Sequence, residues 1–137
     1  MSTNKAVASK ATNRPLSPFM IGPFYKPQLT SMLSITHRLT GLVVTLGSLF
    51  IAGWLISLAA GPYWYEGYAH HMLAWYGQVL LFLWSWCTLF HLCNGVRHLG
   101  WDVGFGLDLK TAYLTGYSVV IVSAVLTIAV WILAYAA

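Results

Sequence analysis

Three long stretches of the sequence contain no Asp, Glu, Lys or Arg, and this absence of charge limits the fold more than any other feature. They run over residues 39–60, 72–96 and 111–137. A helix needs about 20 residues to cross the apolar part of a bilayer. Charged residues make up only 7% of the chain, against about 25% in soluble domains. The stretches therefore predict an all-α membrane protein with three transmembrane helices, because a three-stranded barrel cannot close in lipid.

The residues around these stretches divide the chain into two parts. Residues 1–29 begin with a polar, basic tail and continue with a proline-rich segment. Prolines at this density block a helix, so we expect the proline-rich segment, residues 14–29, to lie along the inner membrane surface. Residues 30–137 are expected to form a three-helix transmembrane domain, with spans near residues 31–60, 69–98 and 111–136.

The basic residues orient these helices. All seven lie in the N-terminal tail, near the loop after Asp102 or at the adjoining helix ends: Lys5, Lys10, Arg14, Lys26, Arg38, Arg97 and Lys110. The aromatic loop expected at residues 61–71 has none. The positive-inside rule therefore predicts the N-terminus inside and the C-terminus outside. The net charge of +4 reflects this asymmetry and does not indicate a nucleic-acid partner.

Polar residues interrupt the first predicted helix near its start. Ser34 and Arg38 are four residues apart and share one face, and His37 is adjacent to that face. An arginine that snorkels to the surface is common at a helix end, but a His–Arg pair with a serine beside it indicates a polar pocket. Small residues continue the stripe and are typical of close helix packing: Gly41, Thr45 and Ser48.

The second predicted helix carries a similar cluster near its end. His91, Gly95 and His98 have the spacing i, i+4 and i+7, which places them on one face, with Arg97 close by. A histidine within a membrane span either forms an interhelical hydrogen bond or binds a cofactor. A haem needs an imidazole for its iron, and Gly95 leaves room beside the helix. The pattern therefore favours His91 as an axial haem ligand.

Haem propionates need cationic partners, and four side chains are expected at one level to supply them: His37, Arg38, Arg97 and His98. A second axial ligand is harder to find, because His70 and His71 are expected at the opposite end of the second helix. It is therefore expected from another subunit or a second copy of the chain.

Motifs for other chemistry are absent from the sequence. It contains no dinucleotide-binding or phosphate-binding glycine motif, no cysteine cluster and no pair of carboxylates within a span. Cys87 and Cys93 are six residues apart, on different helix faces, and are expected to be small packed side chains. The chain is therefore not expected to catalyse a reaction alone. A purely structural anchor without haem is the alternative. A transporter is disfavoured, because no span contains a proline and the third has no charged side chain.

Three motifs resemble signatures of one family. "RPLSP" (14–18), "SITHRLTG" (34–41) and "HLCNGVRHLGWD" (91–102) are similar to those of the cytochrome b membrane-anchor subunits of succinate dehydrogenase, respiratory complex II. The resemblance implies a non-catalytic subunit of a succinate:quinone oxidoreductase within a heteromeric helix bundle. Its partners would be a flavoprotein with FAD, an iron–sulfur subunit and a second small anchor that shares haem b. The implied location is the bacterial cytoplasmic membrane, with the mitochondrial inner membrane as the alternative.

The same resemblance implies roles for individual residues. His91 would be an axial ligand of the haem iron, and His37 and His98 would lie beside the propionates. Ser34 and Arg38 would belong to the quinone site, with Arg38 also near the haem. On the inner surface, Asp102, Asp108 and Lys110 are expected to face a soluble partner, although a salt bridge from Asp102 to Arg97 is equally consistent with the sequence.

Overall fold

A computed structural model of the protein describes residues 27–137, which form four helices. Their bounds are Leu29–Ala60 (α1), Pro62–Leu73 (α2), Trp75–Asp102 (α3) and Leu109–Ala136 (α4). Helices α1, α3 and α4 contain 32, 28 and 28 residues and are long and apolar enough to cross a membrane. The prediction of an all-helical protein with three membrane-length helices is confirmed. Most of the predicted surface segment, including residues 14–26, lies outside the described residues.

The segment expected to be a loop at residues 61–71 forms a helix instead. Gly61 has a φ of 112°, in the left-handed region that favours glycine, and separates α1 from α2. Pro62 occupies the first position of α2, where a helix needs no backbone N–H and the fixed φ of proline is suitable. With 12 residues, α2 is too short to cross a bilayer.

The second long helix consequently starts at Trp75, later than the expected position near residue 69. One extended residue, Ala74, separates α2 from α3. A Cβ atom at Gly77 would overlap the carbonyl oxygen of His71, so only glycine allows the first turn of α3 to pass this close to the end of α2. His70 and His71, expected at the outer end of the second span, therefore lie on α2.

The other long helices begin two residues earlier than expected. Gln28 is the N-cap of α1 but makes no side-chain capping bond. Asp108 is the N-cap of α4, and its carboxylate accepts a hydrogen bond of 2.9 Å from the backbone N–H of Thr111. The carboxylate thereby satisfies one of the N–H groups that the first turn of a helix leaves without a partner.

Helix α3 lies at the centre of the bundle, in contact with both α1 and α4. Leu33 of α1, Phe90 of α3 and Val119 of α4 form one buried cluster. Leu33 and Val119 are near the starts of their helices, so the packed end of the bundle is the end that carries the loop between α3 and α4. Lipid tails are as apolar as leucine, so this cluster stabilises the bundle mainly through close packing.

Hydrogen bonds join α3 and α4 at the other end of the bundle. The indole N–H of Trp131 donates to the hydroxyl of Ser85 at 3.1 Å, and the hydroxyl of Tyr135 donates to the side-chain oxygen of Gln78 at 2.8 Å. Such bonds within membranes contribute about 0.6 kcal/mol each on average. Together with the buried cluster, they fix the two helices at both ends.

Candidate functional site

Three histidines from two helices meet at the packed end of the bundle. The rings of His37 on α1 and His91 on α3 are stacked, with centroids 3.9 Å apart and planes 7° apart. The ring of His98, also on α3, lies 5.0 Å from that of His37. His37 therefore lies between the two histidines of α3, and these three side chains define the histidine cluster.

The contacts of His91 determine which of its ring nitrogens carries the proton. Its Nδ1 lies 3.0 Å from the backbone carbonyl oxygen of His37 and 3.4 Å from the hydroxyl oxygen of Thr40. A carbonyl oxygen can only accept, so Nδ1 carries the hydrogen and donates it. Nε2 then has a lone pair, and no hydrogen bond from a described residue reaches it. This is the arrangement of a histidine that binds a metal through Nε2.

Two other ring nitrogens in the histidine cluster lack partners. Nδ1 of His37 and Nδ1 of His98 are buried and form no hydrogen bond with any described residue. An unsatisfied buried polar group costs about 1–3 kcal/mol. Both nitrogens can donate to an anionic group, and haem propionates are such groups. The donor set of the cluster thus fits a haem, with one imidazole for the iron and two for its carboxylates.

The guanidinium of Arg97 bonds to α4, and none of its hydrogen bonds goes to a histidine of the cluster. Its Nε donates to the hydroxyl of Thr115 at 3.0 Å, and its Nη2 donates to the backbone carbonyl of Ala112 at 2.8 Å. A longer bond of 3.4 Å runs from Nη1 to the side-chain oxygen of Asn94. The guanidinium also lies 4.0 Å from the ring centroid of Trp101. Arg97 therefore bonds to α4 rather than to Asp102 and joins α3 to α4. Only 8% of its surface is exposed.

The residues expected at a quinone site lie on α1, next to the histidine cluster in sequence. Ser34 is half-buried and Arg38 is exposed. Their spacing places them on one face of the helix. Arg38 follows His37, whose ring belongs to the cluster, directly in sequence.

Small residues of α1 have different roles along the helix. Thr45 and Ser48 are exposed in the single chain, and their hydroxyls donate to backbone carbonyls of α1 itself. Gly41, expected only to allow helix packing, faces His91: a Cβ atom there would lie 2.9 Å from Cε1 of the imidazole. A Cβ atom at Gly95 would meet Cε1 of His37 at 3.9 Å, an ordinary contact distance.

The partners of His91 and Arg97 on neighbouring helices were not predicted. Thr40 and Gly41 belong to the motif at residues 34–41, but only the crossing of α1 and α3 places them against His91. Ala112 and Thr115 bond to Arg97 from within a stretch that has no charged residue. Spacing within one helix indicates a shared face but does not show which helix that face meets.

Comparison with known proteins identifies the family of the chain. The family model described as succinate dehydrogenase/fumarate reductase transmembrane subunit matches residues 10–130. The chain belongs to this family. The match confirms the family indicated by the three motifs and extends into α4, which none of the motifs covers.

Similar proteins from bacteria and from a mitochondrion share this succinate dehydrogenase ancestry. The succinate dehydrogenase cytochrome b556 subunit of Rickettsia bellii is 41% identical over 119 residues, which covers 87% of this chain and 91% of the relative. That of Paracoccus denitrificans is 32% identical over 122 residues, covering 87% and 92%. The mitochondrial cytochrome B subunit of Schizosaccharomyces pombe is 39% identical over 126 residues, covering 88% and 68%.

Proposed function

We propose that this chain is the membrane-anchor subunit that holds haem b in a succinate:quinone oxidoreductase and forms part of its quinone-reduction site. The observation that carries the proposal is the histidine cluster, in which one ring presents a bare Nε2 and two rings have unsatisfied buried nitrogens. Iron in a bound haem takes up and releases one electron at a time. The chain itself supplies ligands and hydrogen-bond donors, and the chemistry of succinate oxidation belongs to partner subunits.

Each residue near the haem would have a distinct role. His91 would bind the iron through Nε2, and His37 and His98 would donate from Nδ1 to the propionates. Arg38 would add positive charge at the same end of the bundle. Arg97 would add positive charge while it holds α3 against α4, and its bonds to Thr115 and Ala112 occupy Nε and Nη2.

A second small anchor subunit would provide the other axial ligand. Two histidines of this chain remain outside the cluster, and both His70 and His71 lie on α2. The large apolar side chains of the helix surfaces are exposed in the single chain, and a partner helix or membrane lipid would cover them. The proposal therefore includes a heteromeric helix bundle with the haem shared between two anchors.

Ser34 and Arg38 are the groups that we assign to the quinone. A quinone oxygen gains negative charge as electrons arrive and then takes up a proton. A hydroxyl donor and a guanidinium beside that oxygen stabilise the developing charge, more strongly where water is excluded. The charge of Arg38 favours a position near the membrane surface, because a long basic side chain can extend its head group towards water.

The proposed topology places the N-terminus and the loop between α3 and α4 inside. Asp102, Asp108 and Lys110 are exposed around this loop and would face an iron–sulfur subunit, which in turn contacts a flavoprotein with FAD. Residues 1–29 would form the tail and surface segment, and residues 30–137 the anchor. We assign the complex to the bacterial cytoplasmic membrane, with the mitochondrial inner membrane as the alternative.

A haem-free structural anchor is the second candidate, because the bond from Nδ1 of His91 to the carbonyl of His37 also joins α1 to α3 directly. The test is to purify the complex through a tag on this chain and to record its reduced-minus-oxidised spectrum and succinate-dependent quinone reduction. The proposal predicts haem b bands and quinone reduction in the same preparation. Full quinone reduction without haem would favour the structural anchor.

A further inference from the structure

The imidazole of His91 is confined by α1 on more than one side. A Cβ atom at Gly41 would lie 2.9 Å from Cε1, 3.4 Å from Nδ1 and 3.7 Å from Nε2 of the ring. The first distance is shorter than carbon atoms tolerate without movement. The absence of a Cβ atom at Gly41 therefore determines how closely the imidazole can approach α1.

The ring has little freedom to accommodate such a Cβ atom. Its Nδ1 is bonded to the carbonyl of His37 at 3.0 Å, and one face is stacked on the ring of His37. Displacement by several tenths of an ångström would lengthen the hydrogen bond or disrupt the stacking. Both interactions define where Nε2 points, so the direction of Nε2 depends on Gly41.

The hydroxyl of Thr40 completes the environment of Nδ1. Thr40 is 4% exposed, and its hydroxyl lies 2.9 Å from the carbonyl of Thr36 and 3.0 Å from that of His37. A hydroxyl has one hydrogen, and either carbonyl accepts it. The oxygen of Thr40 then has lone pairs for Nδ1–H of His91, 3.4 Å away. Nδ1–H thus faces two acceptors, the carbonyl of His37 and the hydroxyl of Thr40.

We propose that Thr40 and Gly41 are positioning residues for the haem ligand. The Thr40 hydroxyl and the His37 carbonyl both accept from Nδ1–H of His91, and Gly41 sets the distance of the ring from α1. This inference rests on the proposed ligation of haem by His91. An acceptor at Nδ1–H makes the imidazole a stronger donor to the metal, which stabilises oxidised iron over reduced iron. The pair would thereby set both the geometry and the reduction potential of the haem.

The test uses the intact complex with single variants of this chain. Gly41→Ala is expected to displace the imidazole and to diminish the low-spin haem b signal. Gly100→Ala is the matched control, because a Cβ atom at Gly100 would meet nothing within 4 Å although it lies on the same helix as His91. If the spectra and midpoint potentials of the two variants coincide with each other and with the wild type, the role of Gly41 is refuted.

A second pair of variants keeps the test valid if Gly41→Ala fails to assemble. Thr40→Val preserves the shape of the side chain but removes one of the two acceptors of Nδ1–H, so the haem should remain with its midpoint potential shifted upwards. Thr40→Ser retains the hydroxyl and should return the potential towards the wild-type value. Equal potentials in Thr40→Val, Thr40→Ser and wild type would overturn the role of Thr40.

A His91→Leu variant distinguishes the inference from the function on which it rests. If His91→Leu leaves the low-spin spectrum and potential unchanged, the proposed haem ligation itself fails, and the inference fails with it. If His91→Leu alters the spectrum while Gly41→Ala and Thr40→Val leave it at the wild-type value, only the positioning roles of Thr40 and Gly41 are refuted.

Discussion

Replacement of Arg97 by leucine should loosen the junction between α3 and α4. The change removes two bonds to α4, to Thr115 at 3.0 Å and to Ala112 at 2.8 Å, and the contact with Trp101 at 4.0 Å. The hydroxyl of Thr115 still donates to the carbonyl of Thr111, but the buried side-chain oxygen of Asn94 loses its 3.4 Å bond from Nη1 of Arg97. The loss therefore includes the cost of one unsatisfied buried acceptor as well as the value of the contacts.

The magnitude follows from these three contacts. Hydrogen bonds from a charged group contribute about 1.5–3 kcal/mol in soluble proteins, whereas side-chain bonds in membranes average about 0.6 kcal/mol and reach about 1.7. A cation–π contact adds about 0.5–2 kcal/mol. Removal of a buried charge offsets part of the loss. We expect a net destabilisation of about 2–4 kcal/mol, which at about 2–4 °C per kcal/mol lowers the thermal midpoint by roughly 4–16 °C.

The assay is thermal unfolding of the purified complex in detergent, followed by size-exclusion analysis and with haem content measured in parallel. Lys110→Leu is the control, since it removes a positive charge from the exposed first turn of α4, where a cation is not favoured by the helix dipole. Arg97→Lys keeps the charge but not the planar donor set, so it should recover less than half of the loss.

Two outcomes would refute this reasoning. A thermal midpoint for Arg97→Leu equal to that of Lys110→Leu would show that the contacts with α4 contribute nothing measurable. A thermal midpoint of Arg97→Leu above that of the wild type would show that burial of the charge costs more than its contacts contribute. By contrast, a lower thermal midpoint with wild-type haem content would show that Arg97 acts on the contact between the helices rather than on the haem.

Three further predictions concern the quinone site, the cap of α4 and assembly. Ser34→Ala and Arg38→Leu should each lower succinate-dependent quinone reduction at least tenfold, because both wild-type side chains supply donors to the quinone oxygen, and should spare reduction of an artificial dye that accepts electrons upstream. The control is Ser48→Ala, which removes a hydroxyl that bonds within its own helix and should change neither rate. Equal loss of quinone and dye reduction would indicate failed assembly instead. The pKa of Asp108 lies below its ordinary value because the backbone N–H of Thr111 donates to the carboxylate, so its capping contribution is complete above the ordinary pKa and is lost as the pH falls through the lowered pKa. The difference in thermal midpoint between wild type and Asp108→Ala should therefore shrink on acidification, while the difference between Asp108→Asn and Asp108→Ala stays constant. A pH-independent difference between wild type and Asp108→Ala would contradict a charged cap. Expressed without partners, the chain should aggregate in detergent, since two buried nitrogens of its histidine cluster, Nδ1 of His37 and Nδ1 of His98, have no hydrogen-bond partner among the described residues. A monodisperse, folded monomer without haem would contradict this.

The fold was largely predictable because a membrane imposes simple limits on length and charge. Three charge-free stretches give three long helices, because the other structure that satisfies the backbone in lipid, a closed β-barrel, cannot be built from three strands. Helix α2 escaped prediction because a 12-residue helix falls below the length that a bilayer requires. Its proline and glycine also suggest a loop, although Pro62 in fact starts the helix.

The site was predictable only within each helix. Periodicity placed His91 and His98 on one face, and the structure brings both beside His37. The direction of Arg97 depends on how α3 packs against α4, and the contact of Gly41 with His91 depends on where α1 crosses α3. Both are properties of tertiary packing, and a single sequence does not show which residues of different helices are in contact.

The most direct measurement is the reduced-minus-oxidised optical spectrum and haem midpoint potential of the intact complex with His91→Leu, compared with wild type. Ligation through Nε2 predicts that the low-spin haem b bands are lost or displaced and that any retained haem has a changed potential, because a leucine has no donor for iron. Succinate-dependent dye reduction should remain, which shows that the partners are still assembled. An unchanged low-spin spectrum with an unchanged potential would contradict the assignment of His91 as the haem ligand.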